Sequence, residues 1–134
     1  MARLRHIAVV VKDPEKSAVF YEQAFGMKRV GDVDADFASG VYLSDGEINL
    51  ALLKYKGARG SGLKDAESFV GTHHFGFQVD DLEETGKAIE ASGGSFFFDL
   101  GSAQHANFER KFKDPDGVIF DISKNGWVGT PGKK

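Results

Sequence analysis

The chain has 134 residues, 41% hydrophobic and 28% charged, the size and balance of one compact domain, residues 1–134. A net charge of −3 leaves no electrostatic case for a nucleic-acid or anionic-membrane partner, and the lack of cysteine excludes disulfides, thiolate metal sites and cysteine nucleophiles. Behind the basic start, Met1-Ala-Arg-Leu-Arg5, the apolar run 7–11 is too short for a signal-peptide core or a membrane span, so a cytoplasmic location is expected.

Taken in order, the first element is a strand, His6-Ile-Ala-Val-Val-Val, which runs into Lys12 and Asp13. Asp13 can cap a helix and Pro14 can open it, because the first helical position needs no N–H. Phe20, Tyr21, Ala24 and Phe25 recur at helical spacing, and Gly26 ends the run. Three strand-like runs follow, at 28–34, 37–44 and 48–55, with Ser44-Asp-Gly46 as a turn before the last. Residues 1–55 form a first module. Residues 56–72 are rich in Gly, Ser and charge and are read as a mobile linker or a lid over a site.

The chain then repeats itself. His74-Phe-Gly-Phe-Gln-Val-Asp-Asp81 copies the first strand at an offset of 68 residues (74 − 6 and 81 − 13). Asp81 caps a second helix, Glu84 completes an acidic capping box, and Gly93-Gly94 stops it. Strands are expected at 95–100, 106–113 and 118–124, with the turn Asp114-Pro-Asp-Gly117 before the last. This second module spans 73–124. The tail 125–134 has no periodicity and is expected to fray, unless Trp127 pins it.

Strand alternation sends His6, Ala8 and Val10 to one face and Ile7, Val9 and Val11 to the other, under the helix. His74, Gly76 and Gln78 repeat the first set. Both histidines therefore open their strands, point away from the helices and have small neighbours. Asp121 is a lone carboxylate inside Val118-Ile-Phe-Asp-Ile122, and burying it costs several kcal/mol without a cation or donor. Two histidines and one carboxylate are the ligands that first-row divalent metals take. Either residue type alone is more often an ordinary polar strand residue. The equivalent repeat positions favour the metal site His6, His74 and Asp121.

The segments 4–13, 20–26, 74–82 and 114–122, in the order βαβββ twice, resemble the vicinal oxygen chelate superfamily of glyoxalases, epimerases, extradiol dioxygenases and bleomycin-resistance proteins. The resemblance implies an α+β fold: a U-shaped mixed sheet around a metal-binding cup, helices outside. It also implies a small-molecule substrate held by adjacent oxygens and a homodimer. Glyoxalases and epimerases usually add a Glu or Gln ligand on the last strand of the first module. Here that position falls on Leu50 or, one residue on, Ala51, and the second-module acid is Asp where Glu is usual. The remaining three ligands are those of iron(II) oxygenases, so iron(II) is favoured, with manganese, nickel, cobalt or zinc as alternatives. A dioxygenase-like activity leads, ahead of a glyoxalase- or epimerase-like one and of a metal-free resistance-type binder.

Among the remaining groups, His105 is a candidate catalytic acid or base, with an ordinary pKa of about 6.5 suited to that work. His73 is expected on the face opposite His74. Phe37, Tyr42, Phe96-Phe-Phe98, Phe108 and Phe112 are candidates to line or underlie the cup, and an aromatic or apolar substrate follows if several face it. Arg110, Lys111 and Lys113 read as a solvated face.

Overall fold

The computed structural model describes residues 1–99 and 109–132. In chain order the elements are β1 (Arg3–Val10), α1 (Pro14–Phe25), β2 (Lys28–Asp34), β3 (Ala38–Ser44), β4 (Asn49–Tyr55), β5 (Gly71–Gln78), α2 (Leu82–Ala91), β6 (Ser95–Asp99), β7 (Arg110–Lys113) and β8 (Ile119–Ser123). The eight strands form one open mixed sheet in the order β2-β3-β4-β1-β5-β8-β7-β6. The first strands of the two modules, β1 and β5, pair antiparallel at its centre. Each is also parallel to the last strand of its own module, β1 to β4 and β5 to β8.

The helix ends follow their capping residues. Asp13 accepts from the Lys16 N–H at 3.2 Å, and Gly26, left-handed at φ 70°, returns its N–H to Glu22. Asp81 accepts from the Glu84 N–H at 2.9 Å. Alternation then sorts the strands into two faces. Under α1, Leu43, Leu52 and Val41 pack with Ala18, Val9 and Leu50. Under α2, Phe112 and Ile122 pack with Val79, Phe77, Leu82 and Ile89. Each such side chain, fully buried, contributes about 1.5–3 kcal/mol.

The inner face, away from the helices, carries Ala8, Val10, Ala51, Leu53 and Tyr55. The segment expected as linker or lid folds onto it, placing Leu63, Ala66 and Phe69 there, and β5 opens at Gly71, two residues ahead of the expected start of the second module. The tail does not fray over 125–132: Trp127 is wholly buried, and the Ser44 hydroxyl donates to the Gly129 carbonyl at 2.7 Å. No described helix is long and apolar enough to cross a membrane.

Of the expected aromatic lining, Phe37 and Tyr42 pack on the inner-face cluster, and Phe98 meets Phe37 at 6.1 Å between ring centroids. Phe112 lies under α2 instead, with Phe96 edge-on to it. A bulge between Phe96 and Phe98 breaks the alternation there. Leu100, Phe108 and the first residues of the expected strand 106–113 lie outside the described residues.

Candidate metal centre

Strand pairing places five side-chain positions in one row across the sheet. Asn49 on β4 faces His6 on β1, His6 faces Gly76 on β5, Gly76 faces Asp121 on β8, and Asp121 faces Lys111 on β7. The next row holds Ala51, Ala8 and His74. Since Gly76 lacks a side chain, His6 and Asp121 lean together over it while His74 approaches from the adjoining row. A Cβ on Gly76 would stand 2.7 Å from Trp127 Cη2, so the indole occupies the space the glycine leaves.

The three expected ligands converge. His74 Nε2 lies 3.2 Å from Asp121 Oδ2, His6 Nε2 lies 3.8 Å from the same oxygen, and the two Nε2 atoms are 3.4 Å apart. Donors about 2.1 Å from one metal ion stand roughly 3.0–3.4 Å from one another, so the 3.2 and 3.4 Å separations suit a shared ion and the 3.8 Å one lies just beyond that range. All three residues are buried.

Hydrogen-bond partners fix what each atom offers. Asn49 donates its amide to the Val128 carbonyl at 3.0 Å, so its Oδ1 faces His6 Nδ1 at 2.8 Å as an acceptor. His6 therefore carries its proton on Nδ1 and leaves Nε2 bare. On the other side, the Ser61 carbonyl accepts from His73 Nε2 at 2.7 Å, which leaves His73 Nδ1 as the acceptor for His74 Nδ1 at 2.7 Å. His74 Nε2 is then bare as well. Two lone pairs and an anionic oxygen thus face one another, and Asp121 Oδ2 is buried without a hydrogen-bond partner among the described residues. A cation satisfies all three at once.

The charge state agrees. Burial pulls His74 down to about 3, so its imidazole is neutral at physiological pH. Burial raises the Asp121 carboxyl, but the Lys111 ammonium beside it outweighs burial and holds the group below its ordinary value. With His74 neutral, Lys111 is the standing cation: its Nζ donates to Asp121 Oδ1 at 2.8 Å. Burial lowers Lys111, and Asp121 and Glu109 more than restore it, so its net shift is upward.

In the metal-free protein His74 titrates at 6.5 in an open chain and at about 3 when folded, so the unfolded state takes up the proton first. Stability is therefore intact above pH 6.5 and falls by about 1.4 kcal/mol per pH unit below it until about pH 3. Urea midpoints at about pH 7 and about pH 4.5 should differ by this slope in the wild type and by much less in His74→Gln. Equal midpoints in the wild type would show that His74 is not buried neutral.

Several neighbours depart from the sequence reading. Lys111 is 2% exposed and belongs to the site, not to a solvated face. Counting outward from the turn Asp114–Gly117 pairs it with Asp121, a signal present in the sequence. His73 does not point away from His74: the pairing skips from Ala8↔His74 to Val9↔Thr72, and the bulge lets the two imidazoles meet. Ala51, not Leu50, stands opposite Ala8 as Asp121 stands opposite Gly76, so the fourth-ligand position is a methyl group. Trp127 stacks on His6, centroids 4.7 Å apart and planes 4° apart, and donates Nε1 to Glu109 at 2.6 Å. His105 lies outside the described residues.

Two modules side by side in one open sheet, with two histidines and a carboxylate converging on the inner face, define the vicinal oxygen chelate architecture. The chain belongs to the Glyoxalase/Bleomycin resistance protein/Dioxygenase superfamily, which it matches over residues 3–122. It is 27% identical over 135 residues to a putative lactoylglutathione lyase of Brassica oleracea var. gemmifera, covering 96% of this chain and 46% of that protein. The chain thus spans about half the length of that plant relative. It is 33% identical over 117 residues to a probable trivalent organoarsenical cleaving enzyme of Bacillus subtilis (strain 168), covering 84% and 73%. Among solved structures it resembles a hypothetical protein from Bacillus halodurans C-125 (TM-score 0.76, 19% identity, 91% and 93% covered). It also resembles a Streptomyces coelicolor methylmalonyl-CoA epimerase (TM-score 0.72, 18% identity, 90% and 92% covered).

Proposed function

We propose that the chain is a divalent-metal-dependent enzyme in which His6, His74 and Asp121 hold iron(II) and a small, apolar or aromatic substrate presents adjacent oxygens. The observation that carries this reading is the ligand count: two imidazoles and one carboxylate oxygen converge, while Ala51 supplies only a methyl group where a fourth ligand would stand. His6, His74 and Asp121 would hold the ion, which would supply Lewis-acid polarisation of substrate oxygens and, as iron(II), activation of dioxygen. Asn49 and His73 fix the two imidazole tautomers. Trp127 is wholly buried beside His6, and Leu63, Ala66 and Phe69 pack on the inner face. Tyr42, Tyr55, Phe37 and Phe69 give the inner face an apolar, aromatic character. A homodimer, common in the superfamily, completes the reading, and light scattering tests it against the 14.6 kDa chain.

A glyoxalase-like lyase on another divalent metal is the second reading, favoured by the likeness to the plant lactoylglutathione lyase over 96% of this chain. Cleavage of a trivalent organoarsenical is less well supported, because soft arsenic prefers thiolates and the chain has no cysteine.

Metal analysis of anaerobically purified wild type and His74→Ala tests the proposal. Near-stoichiometric iron in the wild type, lost in the variant, with oxygen uptake on catechol-type substrates, is the expected result. Nickel, cobalt, zinc or manganese with hemithioacetal turnover would move the assignment to the lyase. Failure to bind any metal after reconstitution would overturn both. His73→Ala should weaken metal binding about 10- to 100-fold, because His74 loses the acceptor that holds its tautomer. Unchanged affinity would remove His73 from the site.

A further inference from the structure

Lys111 is not one of the three proposed ligands, yet it is buried against one of them. Its Nζ donates to Asp121 Oδ1 at 2.8 Å, while Oδ2, the oxygen nearest the two imidazoles, has no hydrogen-bond partner among the described residues. The two oxygens of one carboxylate are therefore in different situations. One is tied to an ammonium and the other is left for a cation. Lys111 is also held from its far side. Glu109 Oε2 lies 3.7 Å from Nζ, Glu109 Oε1 accepts from Trp127 Nε1 at 2.6 Å, and Trp127 stacks on His6. The chain of contacts closes on itself through His6, Trp127, Glu109, Lys111 and Asp121, and all five residues are buried. A lysine tail in such a ring has little room to swing away from Oδ1.

We propose that Lys111 is a positioning residue that keeps Asp121 a one-oxygen ligand. A carboxylate can give a metal one oxygen or two, and the second oxygen fills a coordination position that a substrate or water oxygen would otherwise take. By occupying Oδ1, Lys111 keeps the protein at three single donors and reserves the other positions for substrate oxygens. It also offsets the Asp121 charge, so the three ligands and Lys111 together bring no net charge to the ion. Asp in place of the longer Glu suits this arrangement, since its carboxylate is anchored close to β8 and the Lys111 on β7 directly opposite can reach it. The inference rests on the metal site proposed above.

The test loads wild type, Lys111→Met and Lys111→Gln with manganese(II) and measures water-proton relaxivity per bound ion. Infrared spectra with 13C-labelled aspartate carboxylates accompany it. Met removes the donor to Oδ1, whereas the Gln amide keeps one. The expected result is a relaxivity lower by roughly a third in Lys111→Met, as Oδ1 fills one of three open positions of a six-coordinate ion, and a value near wild type in Lys111→Gln. The splitting of the Asp121 carboxylate stretches, identified by its loss in Asp121→Asn, narrows in the Met variant alone. Manganese bound one-to-one by Lys111→Met with wild-type relaxivity and splitting would overturn the inference and leave the metal site standing. A wild-type spectrum with both Asp121 oxygens on the ion would do the same. Wild type that binds no manganese, iron or other divalent ion would overturn the metal site and this inference with it. Should Lys111→Met fail to fold, Lys111→Met with Glu109→Gln, which strands no Glu109 charge, takes its place.

Discussion

Asp121→Ala should abolish metal binding and also destabilise the metal-free protein by about 3–5 kcal/mol, the usual result of removing one partner of a buried ion pair. Two effects compete in the metal-free state. Loss of the carboxylate relieves its repulsion with the bare His74 Nε2 at 3.2 Å. It also leaves the Lys111 ammonium, 2% exposed, with Glu109 Oε2 at 3.7 Å in place of the 2.8 Å bond. Repulsion between an anion and a neutral lone pair is the weaker effect, so destabilisation wins. For a chain of this size the melting temperature should fall by about 10–20 °C. Asp121→Asn should lose metal as completely but melt closer to wild type, since the amide oxygen still accepts from Lys111. Thermal and urea unfolding of the three apo proteins, with titration of each by cobalt, checks both effects. Asp121→Ala melting within about 2 °C of wild type would mean that Lys111 is not paired as described.

Trp127→Ala should cost a similar amount, about 3–5 kcal/mol, through the cavity it opens. The indole is wholly buried in a segment without regular secondary structure, so its packing is what binds 125–132 to the sheet. It fills the space above Gly76, lies flat on His6 and satisfies a Glu109 oxygen. Removing it releases the Val128 carbonyl from Asn49 and the Gly129 carbonyl from Ser44 as the segment loosens. Metal affinity should fall with stability, because Asn49 and Trp127 both hold the His6 ring. Circular dichroism in urea measures the stability. Trp127 is the single tryptophan, so its fluorescence in the wild type reports the site itself and should be quenched when cobalt binds. Unchanged stability in Trp127→Ala would mean that the tail is not docked over His6.

Much of this architecture was legible in the chain. The equal 68-residue offsets of His6 to His74 and of Asp13 to Asp81 mark two copies of one unit, and the caps at Asp13 and Asp81 mark both helix starts. Alternation placed Ala8 and Val10 on one face and Val9 and Val11 on the other, the faces they occupy. The lone Asp121 among apolar neighbours was visible for the same reason: an unpaired carboxylate is out of place in a buried strand. Lys111 was legible in principle through the turn at Asp114–Gly117, but its neighbours Arg110 and Lys113 made the segment look solvated.

The sequence alone therefore determined the repeat, the helix limits, the two faces of the central strands and the three side chains that come together. Each of these rests on a local period or on the offset between two copies. The tertiary structure decided everything that depends on long-range approach. It brought Trp127 onto His6, set Val128 to orient Asn49, and laid Ser61 over His73. It also put Ala51 rather than Leu50 at the fourth-ligand position through the register of β1 with β4. A bulge at His73 and an irregular tail obey no period, and their positions are set only when the inner face excludes water and each buried donor must find an acceptor.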